Sequence, residues 1–352
     1  MDAGNRDPDA DRDPDRTDPL AADPSVAAAV AGDEAAFAQL VQRHQRELQV
    51  HCYRMTGSYA ESEDLVQETF LRAWRRIDTY AGRSTFRAWL YRIATNACLD
   101  ALRGRQRRLM PYDVAPPADP DGPPVDGPPH PGVDPFPDHL LAGGDDAEPG
   151  AAVVAQETIE LAFLAAIQHL PPRQRAAVIM RDVLGWSARE TAEQLDVSEP
   201  AVKSLLQRAR PVLRRHLPAG RDEWQPDEDP DLAERVLLQR YMDAHEQDDV
   251  EALAAVLRED VRVSYPPYPM WCDNRDDFIV GSRKFAPPGE VRFVATRANR
   301  QPACAIYLRP PGADGFHPVA LEVLRVEGGR IAEIVDYGDP ALFEAFELPA
   351  TL

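Results

Sequence analysis

Residues 61–103 read ESEDLVQETFLRAWRRIDTYAGRSTFRAWLYRIATNACLDALR, and this stretch decides how the chain is organised. It predicts two consecutive helices. In the first, Val66, Phe70, Trp74 and Ile77 recur at i, i+4, i+8 and i+11, the spacing of a core stripe. The other face carries Asp64, Gln67, Glu68, Arg72 and Arg75, with Glu68 four residues before Arg72 for an ion pair. In the second, Phe86, Leu90, Ile93 and Ala97 form the stripe, and another face shows Trp89, Arg92, Asn96 and Arg103. An exposed aromatic beside arginines and an amide suits single-stranded DNA. Arginine holds phosphate, the ring offers a stacking platform, and the amide can bond a base edge.

Residues 170–217, LPPRQRAAVIMRDVLGWSARETAEQLDVSEPAVKSLLQRARPVLRRHL, carry a second signal. Proline in the first turn starts a helix, Val178 and Ile179 fall on its buried side, and Gly185 closes it. A short helix over 187–195, a tight turn at Asp196-Val197 and an N-cap at Ser198 then spell a helix-turn-helix. Ala192 lies where the two helices pack closely, and Val197 and Val202 plug the core between them. Pro211 is expected to end or kink the last helix after Arg210.

The first block resembles region two, and the second region four, of the small extracytoplasmic-function group of bacterial RNA polymerase sigma factors. The likeness rests on EDLVQETFLRAW (63–74), STFRAWLYRIATNACLD (84–100) and LPPRQR ahead of the helix-turn-helix. It implies that Asp64, Gln67, Glu68 and Arg72 meet core polymerase. It further implies that Trp89, Arg92, Asn96, Arg103 and Arg105 act at the −10 promoter element. The −35 contacts carry over to Lys203, Ser204, Gln207 and Arg208 in the major groove. Leu205 departs from the family, which often has a basic residue there. Arg210, Arg214 and Arg215 read as a solvated face or as phosphate contacts.

The formal net charge of −20 argues against a general nucleic-acid coat protein. Charge is nonetheless segregated. Arg72–Arg108 holds ten arginines against two acids, and Lys203–Arg215 is also basic. The first 24 residues are an Asp/Pro tract that cannot build a core. Residues 113–150 contain nine acids, eleven prolines and no Lys or Arg, which predicts an extended, disordered spacer over 109–155. By resemblance, such a linker threads the polymerase's RNA path, where an acidic strand mimics nucleic acid.

Beyond a polar join at 218–230 the pattern changes. Helices over 232–246 and 249–257 precede a strand at 261–265, a short helix at 276–281 and four alternating segments at 291–300, 304–309, 319–327 and 330–337. Helices followed by a curved antiparallel sheet describe an α+β cone. LLQRYMDAHEQDDVEALAAVLREDVRVSYPP (237–267) and VALEVLRVEGGRIAEIVDYGDP (319–340) resemble the SnoaL-like, ketosteroid-isomerase-like fold. Enzymes of that family place a carboxylate base on the first strand, where this chain has Tyr265, a poor base at neutral pH. Tyr241, His245, Tyr265 and Trp271 are candidate pocket residues, with Tyr268 and Glu322 beside them. The facing of Asp336 is left open by the alternation.

The fold class expected is multidomain: an all-α region-two bundle at 25–108, an all-α region-four helix-turn-helix at 156–217, and the cone at 231–352. The expected function is promoter recognition for core polymerase, with no covalent chemistry, no cofactor and no metal site. The partners are core polymerase, promoter DNA and a small-molecule or protein regulator at the cone. No apolar run is long enough for a membrane and no secretory signal is evident, so a cytoplasmic protein is expected. Cysteines 52, 98, 272 and 304 are scattered, with no CxxC, and read as reduced thiols. A stand-alone helix-turn-helix regulator is the alternative, but it has no use for the face on 61–103. A SnoaL-like enzyme fused to a DNA-binding part is a third reading, which an inward carboxylate near Tyr265 would favour, and the sequence makes none evident there.

Overall fold

The computed structural model describes residues 23–120, 122, 127–141, 159–217 and 231–352. The Asp/Pro tail up to residue 22, the linker stretch 142–158 and the join 218–230 lie outside the described residues. Two compact units emerge: Met1–Cys52 with Ser62–Ala101, and Tyr53–Glu61 with Leu102–Leu352.

The first unit is helical. Its helices are α1 (Pro24–Val30), α2 (Glu34–Thr56), α3 (Tyr59–Arg75) and α4 (Phe86–Ala101), the ends of α2 and α3 running into the second unit. Leu40, Leu48, Val66, Phe70, Phe86 and Leu90 fill the core. Trp74, placed by periodicity on the α3 stripe, is half-buried, its ring 4.9 Å from Phe37. Ile93 is also only half-buried. The α4 seam instead runs through Leu90, Ala94, Ala97 and Cys98, an i, i+4, i+7, i+8 series of mostly small residues.

In the second unit, α6 (Leu161–Gln168) follows a short linker helix, α5 (Pro111–Val114). All eight residues of α6 are buried, so it is a core helix and not an amphipathic one. Next come α7 (Pro172–Val178), which continues into a π turn at Ile179–Val183, then α8 (Ala188–Leu195) and α9 (Glu199–His216). Gly185 adopts φ +69° where the first of these closes. Ser187 and Glu190 form a capping box on α8, and Ser198 caps α9. Arg175, from the LPPRQR motif, is buried. Its guanidinium donates to the carbonyls of Ile167 (3.0 Å), Gln168 (3.0 Å) and Leu170 (3.2 Å) and to that of Met55. The motif therefore caps the C-terminus of α6, where a cation is favoured.

Pro211 does not end α9, which runs on to His216. Proline removes one backbone donor, and beyond it Leu213 is still buried beside Ala209 on the packing face, which holds the last turn in place.

The cone has three helices, α10 (Asp231–Glu246), α11 (Val250–Val256) and α12 (Arg275–Lys284), and six strands. These are β1 (Leu257–Ser264), β2 (Trp271–Cys272), β3 (Glu290–Ala298), β4 (Gln301–Arg309), β5 (His317–Glu327) and β6 (Arg330–Tyr337), in sheet order β2-β1-β6-β5-β4-β3. The sheet is mixed and not purely antiparallel, because β1 pairs parallel with β6. Closing the cone brings the first long strand beside the last, and their directions then coincide. A terminal helix, α13 (Leu342–Ala345), follows. The helices cover one face, where Tyr241, Leu253 and Phe278 pack with Val261, Val263, Leu324 and Ile334.

The opposite face is covered by the linker, which overturns the expectation of a disordered spacer for the described part. Trp271 Nε1 donates to Ala115 O (2.8 Å), and the Arg262 guanidinium lies 4.5 Å from the Tyr112 ring centroid. Tyr337 OH donates to Val133 O at 2.9 Å. Composition misleads here because a few residues suffice. Met110, Val133 and Phe136 are buried, and proline, lacking N–H, suits an extended strand on a foreign surface.

Asn299 ties this arrangement together. It sits in the two-residue turn between β3 and β4, where Asn299 and Arg300 have φ +56° and +62°. Its side chain is buried, and Nδ2 donates to Tyr53 OH (2.9 Å) and Ile159 O (2.8 Å). Oδ1 accepts from the backbone N–H of Phe136 at 2.8 Å, and its own N–H returns a bond to Phe136 O at 2.9 Å. Asn299→Ala should leave a buried amide unpaired and place a Cβ-bearing residue without a local partner at positive φ. The expected loss is about 2–4 kcal/mol in holding the linker. Hydrogen exchange should show it as lost protection over 133–141 with the α3–α4 amides unchanged; unchanged exchange at 133–141 would refute the role.

Candidate functional site

On α4, Arg92 and Asn96 are both exposed, one turn apart. Trp89 differs from the expected free platform. It is half-buried, its ring 5.3 Å from Tyr80 and 5.5 Å from Phe86. The indole is thus the rim of an aromatic cluster, held in place and presenting only part of its surface. On α3, Asp64 and Gln67 are exposed, and Arg72 bonds Glu68 at 2.6 Å while lying 3.6 Å from Asp100.

In the helix-turn-helix, Ala192 and Val202 are buried and Val197 half-buried, as the packing between α8 and α9 demands. Lys203, Gln207 and Arg208 are exposed on α9. Ser204 is half-buried, and its hydroxyl donates back to Pro200 O at 3.1 Å, so it is engaged with its own helix. Arg208 Nε rests on Ser204 O at 3.2 Å.

The loop after α4 carries Arg103 and Arg105, both exposed. Arg105 is not free: Glu61 holds it at 2.8 Å. Arg108 reaches Glu61 (3.1 Å), Asp134 (3.2 Å) and Gly132 O (2.9 Å). Asp134 in turn accepts from Ser58 Oγ (2.7 Å) and the Tyr59 N–H (3.2 Å), capping α3 from a distant part of the chain. Arg105, Arg107, Arg108, Arg175 and Glu61 line a cavity of about 290 Å³. None of this was legible beforehand, because Asp134 sits in a stretch whose acids all look alike.

Within the cone, Glu322 and Asp336 are direct cross-strand partners. Asp336 shares its face with Ile334, which packs under the helices, so its carboxyl points inward. Tyr241 OH donates to Glu322 Oε2 (3.0 Å), and Cys304 Sγ lies 3.6 Å from the same oxygen. Burial, reinforced by the Asp336 charge, pushes Glu322 up to about 8. Burial pushes Asp336 up to about 7. The two carboxyls therefore hold at least one proton between them at neutral pH. Burial also holds His245 down at about 4, so its imidazole stays neutral, with a buried and unpartnered Nε2. Burial and the charges of Asp336, Cys272 and Glu322 raise Tyr265 well above the ordinary tyrosine value, which makes it a still poorer base. Trp271 does not belong to this pocket. It faces the linker, one residue out of phase with the inward Cys272. Tyr268 is exposed and lines no interior wall.

Three family descriptions match this architecture in order: Sigma-70 region 2 over 40–108, Sigma-70 region 4 over 160–211, and a SnoaL-like domain over 238–334. ECF RNA polymerase sigma factor SigG of Mycobacterium tuberculosis is 40% identical over 340 residues, covering 94% of this chain and 90% of that protein. The chain belongs to the ECF RNA polymerase sigma factors. SigJ of M. tuberculosis is 28% identical over 83% of this chain and 88% of its own length. The crystal structure of SigJ has the same fold, with a TM-score of 0.54 at 22% identity, covering 89% of this chain and 99% of that one.

For this ECF sigma factor the residues that sequence reasoning missed are Asp134 and Asn299; Glu322 and Asp336 stand among the sequence candidates, but not as a facing pair. Counting back from the Gly328-Gly329 turn would set Glu322 opposite Val335; the register shift between Arg325 and Val326 brings it opposite Asp336, and no sequence signal announces that shift. No described helix is long and apolar enough to cross a membrane.

The dyad predicts a pH dependence. Both carboxyls bind protons more tightly folded than unfolded, so folding takes up protons. The stability they permit is full at low pH and is lost as pH rises through about 7 to 8. His245 has the opposite sign and costs stability only below its ordinary 6.5. Thermal unfolding should therefore fall by a few degrees between pH 7 and 8.5, and Asp336→Asn should flatten that slope. A slope unaltered by the substitution would contradict the shared-proton arrangement.

Proposed function

We propose that this sigma factor reads promoters by a division of labour, and that the cone governs it by holding the linker. Lys203, Ser204, Gln207 and Arg208 read the −35 element as duplex. Asn96, with Arg103 and Arg105, reads an unpaired −10 base, and Trp89 and Arg92 assist strand separation. Asp64, Gln67, Glu68 and Arg72 form the face for core polymerase. These assignments come from the family resemblance, and what supports them is that most of the named side chains are solvent-facing polar groups on rigid helices.

The observation that carries the regulatory reading is the double hold on the loop arginines. Glu61 and Asp134 occupy Arg105 and Arg108, groups otherwise available to phosphate, and Asp134 stays in place because Asn299 of the cone grips the linker two residues on, at Phe136. The linker thus competes with DNA inside the same molecule, at high effective concentration. A ligand or protein at the cone acts by favouring the held or the released state. The cone works in this reading by contact and not by turnover.

Run-off transcription with purified core polymerase tests both parts. Asn96→Ala should slow open-complex formation on a duplex promoter while leaving −35 binding within about twofold; a single lost base contact costs roughly 1–3 kcal/mol. Equal losses in both assays would reject the division. Exchanging the charges of Glu68 and Arg72 should weaken core binding without unfolding the chain. Asp134→Ala and Asn299→Ala should each raise basal transcription severalfold at limiting sigma. No change in either would reject control through the linker.

The inward Glu322–Asp336 pair favours a second reading, a cone that also does acid–base chemistry. It predicts that the full chain consumes a component of a cell metabolite extract and that Asp336→Asn abolishes this while transcription persists.

A further inference from the structure

Among the described residues, one cluster brings three metal-binding side chains together, and no function discussed above uses it. Asp113 in α5, His169 at the C-cap of α6 and His216 at the last position of α9 place one ligand atom each within 4.8 Å of one another. His169 Nε2 lies 3.2 Å from Asp113 Oδ2, and His216 Nδ1 lies 3.8 Å from Oδ1. The two imidazoles stack at 3.5 Å, 16° from parallel. Asp113 Oδ2 is held in turn by the Met110 N–H at 3.2 Å.

We propose that Asp113, His169 and His216 form a divalent transition-metal site, suited to zinc, that fastens the linker to both ends of the helix-turn-helix domain. Three lines support it. The donors, two imidazoles and a carboxylate, are the set that suits zinc and its borderline neighbours and leaves a fourth position for water. The C-terminus of α9 meets a carboxylate here, and both favour positive charge, while the α6 C-terminus, already capped by Arg175, serves to hold His169 in place. The side chains are 12%, 13% and 27% exposed, so partial burial pre-pays desolvation while an open side admits the ion.

Tetrahedral zinc with ligands at about 2.0–2.1 Å needs donor atoms roughly 3.3 Å apart. The cluster must therefore contract by about 1.5 Å at most, with the rings rotating from their stack so that their lone pairs converge. Occupancy would lock α5 to the end of the DNA-reading helix. Direct stapling of this kind is invisible in the sequence, since the three residues lie 56 and 47 positions apart, with no spacing pattern.

The test uses the full-length protein and zinc alone. Isothermal titration should show one equivalent bound. His169→Ala, His216→Ala and Asp113→Asn should each weaken it at least tenfold, because even loss of a supporting partner beyond the ligands typically costs that much. His317→Ala, at an exposed histidine elsewhere, should change nothing. Nitrogen NMR of the unmutated chain guards against variants that misfold: one equivalent of zinc should shift the imidazole nitrogens of His169 and His216 before those of any other histidine. Hydrogen exchange over 111–114 should slow on zinc addition. Binding that survives all three substitutions, or zinc that leaves His169 and His216 unshifted, would overturn the site.

Discussion

A single buried amide joins three separate parts of the second unit. Asn299 gives its two side-chain donors to Tyr53 OH and Ile159 O and accepts from Phe136 N–H. These partners come from the end of a region-two helix, the linker, and the approach to region four. A buried amide with every bond made is far cheaper than one with a bond missing, so the network forms as a whole or not at all. That all-or-none character lets a hairpin turn of an appended domain dictate the path of a linker more than 150 residues earlier in the chain.

The helical parts were legible because their signals are local. The capping box at Ser187 and Glu190, the left-handed Gly185 and the Glu68–Arg72 pair all depend on residues at most four apart. The linker and the cone pocket were not. Asp134 is one acid among nine in a proline-rich stretch, and only three-dimensional closure selects it as the cap of α3. Trp271, a large aromatic near Tyr265, has the sequence signature of a pocket wall. The short β2 pairing with β1 turns it outward and Cys272 inward. Asn299 carries no glycine beside it to announce a turn, which is why the strand was read through to residue 300.

Charge follows the same logic. A net −20 would repel DNA if spread evenly, yet the arginines concentrate after α4 and along α9. The linker's acids then have a use beyond solubility. Asp134 on Arg108 and Asp138 on Arg297 and on the Arg300 N–H are charge-assisted contacts that hold the linker to the rest of the second unit. In the proposed mechanism, an intramolecular acid competing for an arginine that meets phosphate would also make promoter affinity less salt-dependent, since fewer counterions would remain to be released when DNA arrives.

The cost of release can be bounded from the apolar side. Met110, Val133 and Phe136 are each at most 1% exposed, and Phe136 packs its ring 4.7 Å from that of Tyr53. At about 1.5–3 kcal/mol for each buried apolar side chain, freeing the strand forfeits on the order of 5 kcal/mol before any hydrogen bond is counted. An energy of that size biases a two-state equilibrium about ten-thousandfold. In the proposed mechanism core polymerase would therefore have to supply comparable contacts to the linker, or to the surfaces it leaves, for the released form to dominate. A cone ligand needs much less. In that mechanism it would have only to shift the balance by about one or two kcal/mol near the point where polymerase and cone compete equally, the usual size of a coupling free energy between two sites.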